Sequence, residues 1–406
     1  MLLRHNNLLF AFMLRVFGVV AALCLAINTE NVTANSVNSA TKVPRVVLIA
    51  PERLGFWSNA IAFSQDVAKD LRLDLDIIYA DSRFEALRAM KAVVARTEKP
   101  AYVIFHYQEG AGPEMLELAH KAEVSSFIIN SEVASSERER VGTPRQHYPT
   151  WLGHMYPDDE QVGEQLASSL IRLAKAHLKK VDQVASRKLG KPQEANLQVN
   201  VLGVGGSSSS TAAILRNQGL QALVASDDGV KLRRLIATHW EGSTKAIRTL
   251  LRQYGGISVI WAASDTLALE GVHAAKEIGL RPGQDIFIGG IDWSLRGIQA
   301  VKSGDLSLSI GGHYMEAGWA LILLYDHFHG YDFKPDLGRI IHLPMDEINQ
   351  SNVDEYFTVF DMGAWKNINF QKFSKTYVSN IEHYDFSLEK IFDEFEALKV
   401  VSSSKQ

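Results

Sequence analysis

The chain of 406 residues contains a single cysteine, Cys24, which lies in an apolar stretch near the N-terminus. An intrachain disulfide is therefore excluded, and so is a catalytic thiol anywhere beyond that stretch. Proline is scarce, with 11 residues against 29 glycines, which excludes collagen-like and proline-rich extended architectures. Charge of one sign is not concentrated either. The 42 Lys and Arg against 46 Asp and Glu leave a formal charge of −4, and no long basic run offers the footprint that a phosphate backbone demands, so no nucleic acid partner is expected. Repeated apolar runs of membrane-spanning length are missing as well. What remains, with 46% hydrophobic and 22% charged residues, is the composition of a globular α/β protein whose length calls for two lobes rather than one core.

Residues 1–34 carry Arg4 and Arg15, then the apolar run Val16 to Ile27, then a polar stretch that reaches Val32-Thr33-Ala34. This is the three-part layout of a secretory signal peptide, with a cut expected after Ala34. The apolar run falls short of the roughly 20 residues needed to span a bilayer. An uncleaved anchor starting at Leu8 is the competing reading. A lipidated Cys24 is disfavoured because Leu23 is bulky where that signal wants a small residue.

After a polar spacer, the pattern alternates between short β-branched runs and segments of helical period. Strands are expected at 45–50, 75–80, 101–106 and 125–130, with helices at 58–71, 84–95 and 113–122 between them. Residues 134–149, rich in Ser, Glu and Arg, read as a linker. A second series follows, with a helix at 158–178, strands at 197–204, 230–237, 258–262, 286–291 and 306–310, and helices between them. A helix at 314–329 and a last strand at 339–343 precede a tail rich in aromatics. Alternation of this kind implies two doubly wound parallel-sheet lobes, helices on both faces of each. The expected division is a first lobe of 45–149 plus 313–340, a second of 150–312 plus 341–365, and a tail of 366–406 packing along the second lobe. In open parallel sheets ligands sit outside the carboxyl ends of the strands, so a cleft between the lobes is expected.

The candidate site residues follow from that geometry. Phe56 and Trp57 come just after the first strand, where flat rings can cover the C–H face of a sugar, although either can equally staple the following helix. Asn130 ends a strand and can both donate to and accept from vicinal hydroxyls, or simply turn the chain. Arg216 offers a planar fork inside a helix of the second lobe, with a surface ion pair as the plainer reading. Ser264 and Asp265 open a helix at a strand end, and capping by Asp265 competes with ligand contact. Asp292 and Trp293 end another strand, pairing a carboxylate with an aromatic cover. His313 lies at the return crossing between lobes, as a hinge, ligand or structural histidine. The Gly203–Ser210 turn lacks the Lys of a P-loop and the third glycine of a dinucleotide fingerprint. No nucleophile elbow and no His-Glu-x-x-His spacing is present, so neither an enzyme nor a cofactor or metal is expected.

The aromatic pair after the first strand, Ala263-Ser264-Asp265, Gly290-Ile291-Asp292 and Val301 to Leu306 together resemble the type I periplasmic sugar-binding proteins of ribose- and galactose-binding kind, over roughly residues 45–345. The pattern is most similar to the autoinducer-receptor branch of that family, through Phe56-Trp57, Phe127 to Asn130 and Arg216. The resemblance implies a monomer in the periplasm with a three-segment hinge that closes on a sugar-like small molecule. Trp57, Asn130, Arg216, Ser264 and Asp265 would line its cleft. It further implies a membrane partner, either an ABC permease or a sensor kinase or chemoreceptor. A departure stands at Gly312, which has no side chain where a ligand-binding polar residue is usual.

Overall fold

The computed structural model describes residues 43–51, 55–189, 198–360 and 365–403. The expected export signal and Cys24 lie outside the described residues. Among the described residues no helix is long and apolar enough to cross a membrane.

In the first half, β1 (Arg45–Ala50), β2 (Asp74–Tyr79), β3 (Tyr102–His106), β4 (Ser125–Ile129) and β5 (Trp151–Met155) are joined by α1 (Phe56–Leu71), α2 (Arg83–Val94) and α3 (Gly112–Lys121). The second half has α4 (Asp159–Leu189), β6 (Val199–Val204), α5 (Thr211–Ala225), β7 (Val230–Ile236), α6 (Thr244–Tyr254), β8 (Val259–Ala262), α7 (Asp265–Glu277), β9 (Phe287–Ile291), α8 (Leu295–Ser303) and β10 (Leu308–Gly311). Then α9 (Glu316–Phe328), β11 (Ile340–Ile341), β12 (Asp346–Asn349), α10 (Val353–Phe360) and α11 (Leu388–Ser403) close the chain.

Two six-stranded sheets result, ordered β11-β5-β4-β3-β1-β2 and β12-β10-β9-β8-β6-β7. All pairs are parallel except β10 with β12. The run Val46–Ala50 is buried on both faces, as a central strand under two helix layers must be. Strand order reverses direction at β1/β3 in one sheet and at β6/β8 in the other, and these switch points define where a crevice opens. Three passages join the lobes: β5 to α4, β10 to α9, and β11 to β12.

Several expectations need correction. The first lobe does not end at residue 149, because Trp151–Met155 pairs with β4 as its next strand. Residues 134–149 stay on this lobe instead of linking the two, and Arg145 fixes them by a bidentate pair with Asp332 at 2.6 and 2.8 Å. The helix expected at 158–178 continues to Leu189. The tail packs chiefly on the first lobe rather than along the second. Every residue from Glu316 to Asp326 in α9 is buried, since α1, strands β3 and β4, and the tail aromatics Phe373 and Phe386 on Trp319 together surround it. Phe386 stacks on Trp319 with centroids 4.8 Å apart, and Phe370 meets Phe63 edge-on at 5.1 Å. The Asp326 carboxylate then accepts from Ser374 Oγ (2.5 Å), Lys375 N (2.7 Å), Thr376 N (3.0 Å), Thr376 Oγ1 (2.7 Å) and Tyr384 Oη (3.0 Å). The tail also meets the second lobe where Phe392 packs on Tyr356 and Phe360 of α10, Tyr356 in turn lying edge-on to Trp293.

Candidate functional site

Two strand ends of the second sheet and two of the three passages converge on Arg216. Its helix α5 crosses α4 at close range, with glycine at both contact points. A Cβ on Gly163 would lie 2.1 Å from the Arg216 carbonyl oxygen, and one on Gly219 would lie 2.0 Å from that of Glu160. This approach brings Arg216 onto Asp159, the first residue of α4. The guanidinium Nε–H donates to Asp159 Oδ1 at 2.7 Å, Nη1–H to the Ala263 carbonyl at 2.8 Å, and Nη2–H to His313 Nε2 at 3.4 Å. Asp292 Oδ1 stands 3.6 Å from both Arg216 Nη1 and His313 Nε2. Because arginine can only donate, Nε2 of His313 must accept, so the ring proton sits on Nδ1. Burial, reinforced by the Arg216 charge, holds this imidazole well below its ordinary pKa and therefore neutral.

From the first lobe, Phe56 lies flat against His313 and edge-on to Trp57, and Trp57 in turn meets His106 edge-on. Burial lowers His106 to about 4. Asn130 has a positive φ of 68°, so the chain turns sharply at the end of β4, and its N–H donates to Glu316 Oε2 at 2.8 Å. Glu316 Oε1, Asp159 Oδ2, His313 Nδ1 and His106 Nδ1 are buried and find no hydrogen-bond partner among the described residues. Burial pushes Glu316 and Asp292 well above the usual carboxylate range and raises Asp159 despite its arginine.

Phe56, Trp57, Asn130, Arg216, Asp292 and His313 thus come together, while three other candidates take different places. Ser264, not Asp265, is the N-cap of α7, its Oγ accepting from Leu267 N at 3.3 Å. Asp265 has both carboxylate oxygens filled from inside the protein. Oδ1 accepts from Ser309 Oγ at 2.6 Å, and Oδ2 from Ser294 N and Oγ at 2.8 and 3.0 Å. Trp293 turns away from the crevice into the core, its Nε1–H donating to the Ser309 carbonyl and its ring packing on Tyr356 and Phe360. The cause is backbone geometry, since Asp292 and Trp293 both have positive φ, 129° and 54°. That reversal sends the carboxylate toward Arg216 and the indole inward, and strain of this kind concentrates at functional sites.

Two residues were missed by sequence reasoning, Asp159 and Glu316. Both sit at the start of a helix that follows a passage between lobes. An acid at the head of the otherwise apolar Ala317–Leu324 run was the available signal for Glu316.

Two parallel-sheet lobes, three passages and a buried polar cluster at the strand ends define a ligand-binding protein of the two-lobed, hinged class. A family model described as periplasmic binding protein domain matches residues 46–331, and the chain belongs to that family. A search of curated proteins finds no match. Among solved structures, a periplasmic sugar-binding protein from Pseudomonas fluorescens is 26% identical with a TM-score of 0.73, covering 86% of this chain and 99% of its own. The arabinose ABC transporter binding component from Shewanella sp. ANA-3, bound to L-arabinofuranose, is 19% identical with a TM-score of 0.62, covering 79% and 97%. An ABC transporter solute binding protein from Actinobacillus succinogenes 130z, with bound D-allose, is 16% identical with a TM-score of 0.62, covering 78% and 100%. At under 25% identity, the last two share the fold alone.

Proposed function

We propose that the protein is a periplasmic receptor that captures a sugar or sugar-like polyol between its lobes and hands it to a membrane ABC permease. The observation that carries this reading is the juxtaposition of the Phe56–Trp57 rings with the buried Arg216–Asp159–Asp292 cluster. Aromatic faces cover apolar C–H surface, and a guanidinium between carboxylates supplies directional donors and acceptors for hydroxyls. Contacts from both lobes make the closed form the better binder, so binding energy becomes a change of shape that a membrane partner can read. The names of the structural relatives support a sugar ligand and an importer. Export by residues 1–34 and a monomeric state complete the proposal.

The test is a thermal-shift panel of neutral pentoses and hexoses, extended by calorimetry on any compound that raises the melting temperature. A ligand at 100 times its Kd stabilises the fold by about 2.7 kcal/mol, which is readily seen. Stabilisation by a sugar that is lost in Asp292→Ala supports the reading. A panel without a single shift, once charged sugars are included, would overturn it.

A further inference from the structure

Among the described residues the cleft holds more buried carboxyl groups than its own donors answer. Asp159, Asp292 and Glu316 gather around one cation, Arg216, with Asp265 directly behind them. Asp265 is satisfied by Ser294 and Ser309. His106 and His313 are buried, and His313 must keep Nε2 unprotonated to accept from Arg216. Glu52 and Arg53, outside the described residues, add one charge of each sign to the sequence beside β1. Among the described residues no group of three or more His, Cys, Asp or Glu side chains is placed to hold a metal ion, so a coordinated cation does not restore the balance.

The excess is localised. Asp159 spends Oδ1 on Arg216 and Glu316 spends Oε2 on Asn130 N–H, while the second oxygen of each is buried without a partner. Both side chains are about 99% buried. A hydroxyl donates one hydrogen bond and brings no charge. An ammonium donates three, and its charge favours the ionised form of acids that burial alone holds toward the neutral one.

We propose that the cleft takes an amino sugar or similar amino-polyol, whose ammonium group lies against the free oxygens of Asp159 and Glu316. This rests on the sugar-binding reading above and narrows it to a cationic ligand.

The test is a charge series on the intact protein, with glucosamine and galactosamine compared with glucose and galactose, their N-acetyl forms and the matching uronates, each Kd measured by calorimetry. At least one amine is expected to bind ten times more tightly than its neutral parent, and N-acetylation is expected to remove that gain. Glu316→Gln should shrink the ratio of amine to parent affinity about tenfold. The wild-type N-acetyl comparison stands even if that variant fails to fold. Equal or tighter binding of a neutral sugar or uronate overturns the cationic ligand and leaves the sugar receptor intact. Silence across the whole series overturns both.

Discussion

The Phe56 ring lies against the His313 imidazole, with centroids 4.5 Å apart and planes inclined by 26°. One ring opens the first helix of the first lobe, and the other follows the last parallel strand of the second. The stack therefore joins the two lobes at the crevice, and it keeps the His313 lone pair facing Arg216. Phe56→Ala removes the stack and an aromatic wall while leaving the surrounding core in place. Aromatic pairs contribute roughly 0.5–1.5 kcal/mol beyond area burial. Binding of the captured solute is expected to weaken about tenfold or more, with melting in the absence of ligand lowered by only a few degrees. Parallel calorimetry and thermal unfolding check this. A variant that binds normally would remove Phe56 from the site.

Asp265 and Asp292 make opposite predictions although both are buried acids at neighbouring strand ends. Asp265→Ala deletes the acceptor for Ser294 N–H and both serine hydroxyls, and is expected to cost about 2–4 kcal/mol of stability. Asp292→Ala leaves those bonds intact and is expected to act mainly on ligand affinity. Burial raises Asp265 to about 6 from an unperturbed 3.8. The folded protein then holds this proton more tightly than the unfolded chain does. The contribution is complete below about pH 4 and is lost as pH rises through 6, on the order of 3 kcal/mol. Asp159, Asp292 and Glu316 are shifted in the same direction. Burial lowers His106, His154, His313 and His327, which add stability as pH rises over the same range, so the acid is read by difference. Denaturation between pH 4 and 7 should show ligand-free Asp265→Asn gaining on the parent chain as pH rises. A parent chain that gains on the variant instead would contradict the burial of Asp265.

The two-lobed architecture was legible in the sequence because parallel strands buried on both faces leave β-branched runs such as Val46–Ile49, and the helices between them keep a 3.6-residue period. Arg216 and Asp292 were legible because their strand and helix ends point to one crevice whatever the side-chain details. Trp293 was not, since a reversed φ at two consecutive residues decides which way an aromatic points, and pattern reading assumes an ordinary backbone. Asp159 and Glu316 escaped because their roles depend on partners 57 and 186 residues away, Arg216 and Asn130. The placement of the tail escaped for the same reason. Aromatic content shows that a segment must be covered but not by which lobe.

Asp326 governs that tail. Five donors from residues 374–384 end on one buried carboxylate. Asp326→Ala leaves these groups to water or to each other, and a loss of about 3–5 kcal/mol is expected from breaking such a network. Because Phe386 and Phe370 cover Trp319 and Phe63, release of the tail also exposes the α1–α9 core. Limited proteolysis should then cut within residues 374–390 of the variant under conditions that leave the parent chain whole. Resistance equal to that of the parent would show that the aromatic contacts hold the tail without the carboxylate.

Gly163 and Gly219 set the depth of the site from behind. Each faces a backbone carbonyl of the opposing helix at a distance that no Cβ can share, so α4 and α5 pack backbone to backbone. Gly163→Ala must push α5 outward, and Arg216 rides on that helix with its own carbonyl at the point of contact. Ordinary overpacking costs about 1–3 kcal/mol, and rigid backbone on the far side puts this case at the upper end. A shift of even about 1 Å would stretch the 2.7 Å bond from Arg216 to Asp159 beyond hydrogen-bonding range. Gly163→Ala and Gly219→Ala are therefore expected to weaken ligand binding as well as stability, although neither glycine touches the crevice. Gly271→Ala is the control, since its nearest neighbours are the ends of Ile260 and Ile288 side chains at 3.2 Å or more. If all three variants lose stability and only the first two lose affinity, the close helix crossing positions Arg216. Equal affinity in all three would assign the glycines to packing alone.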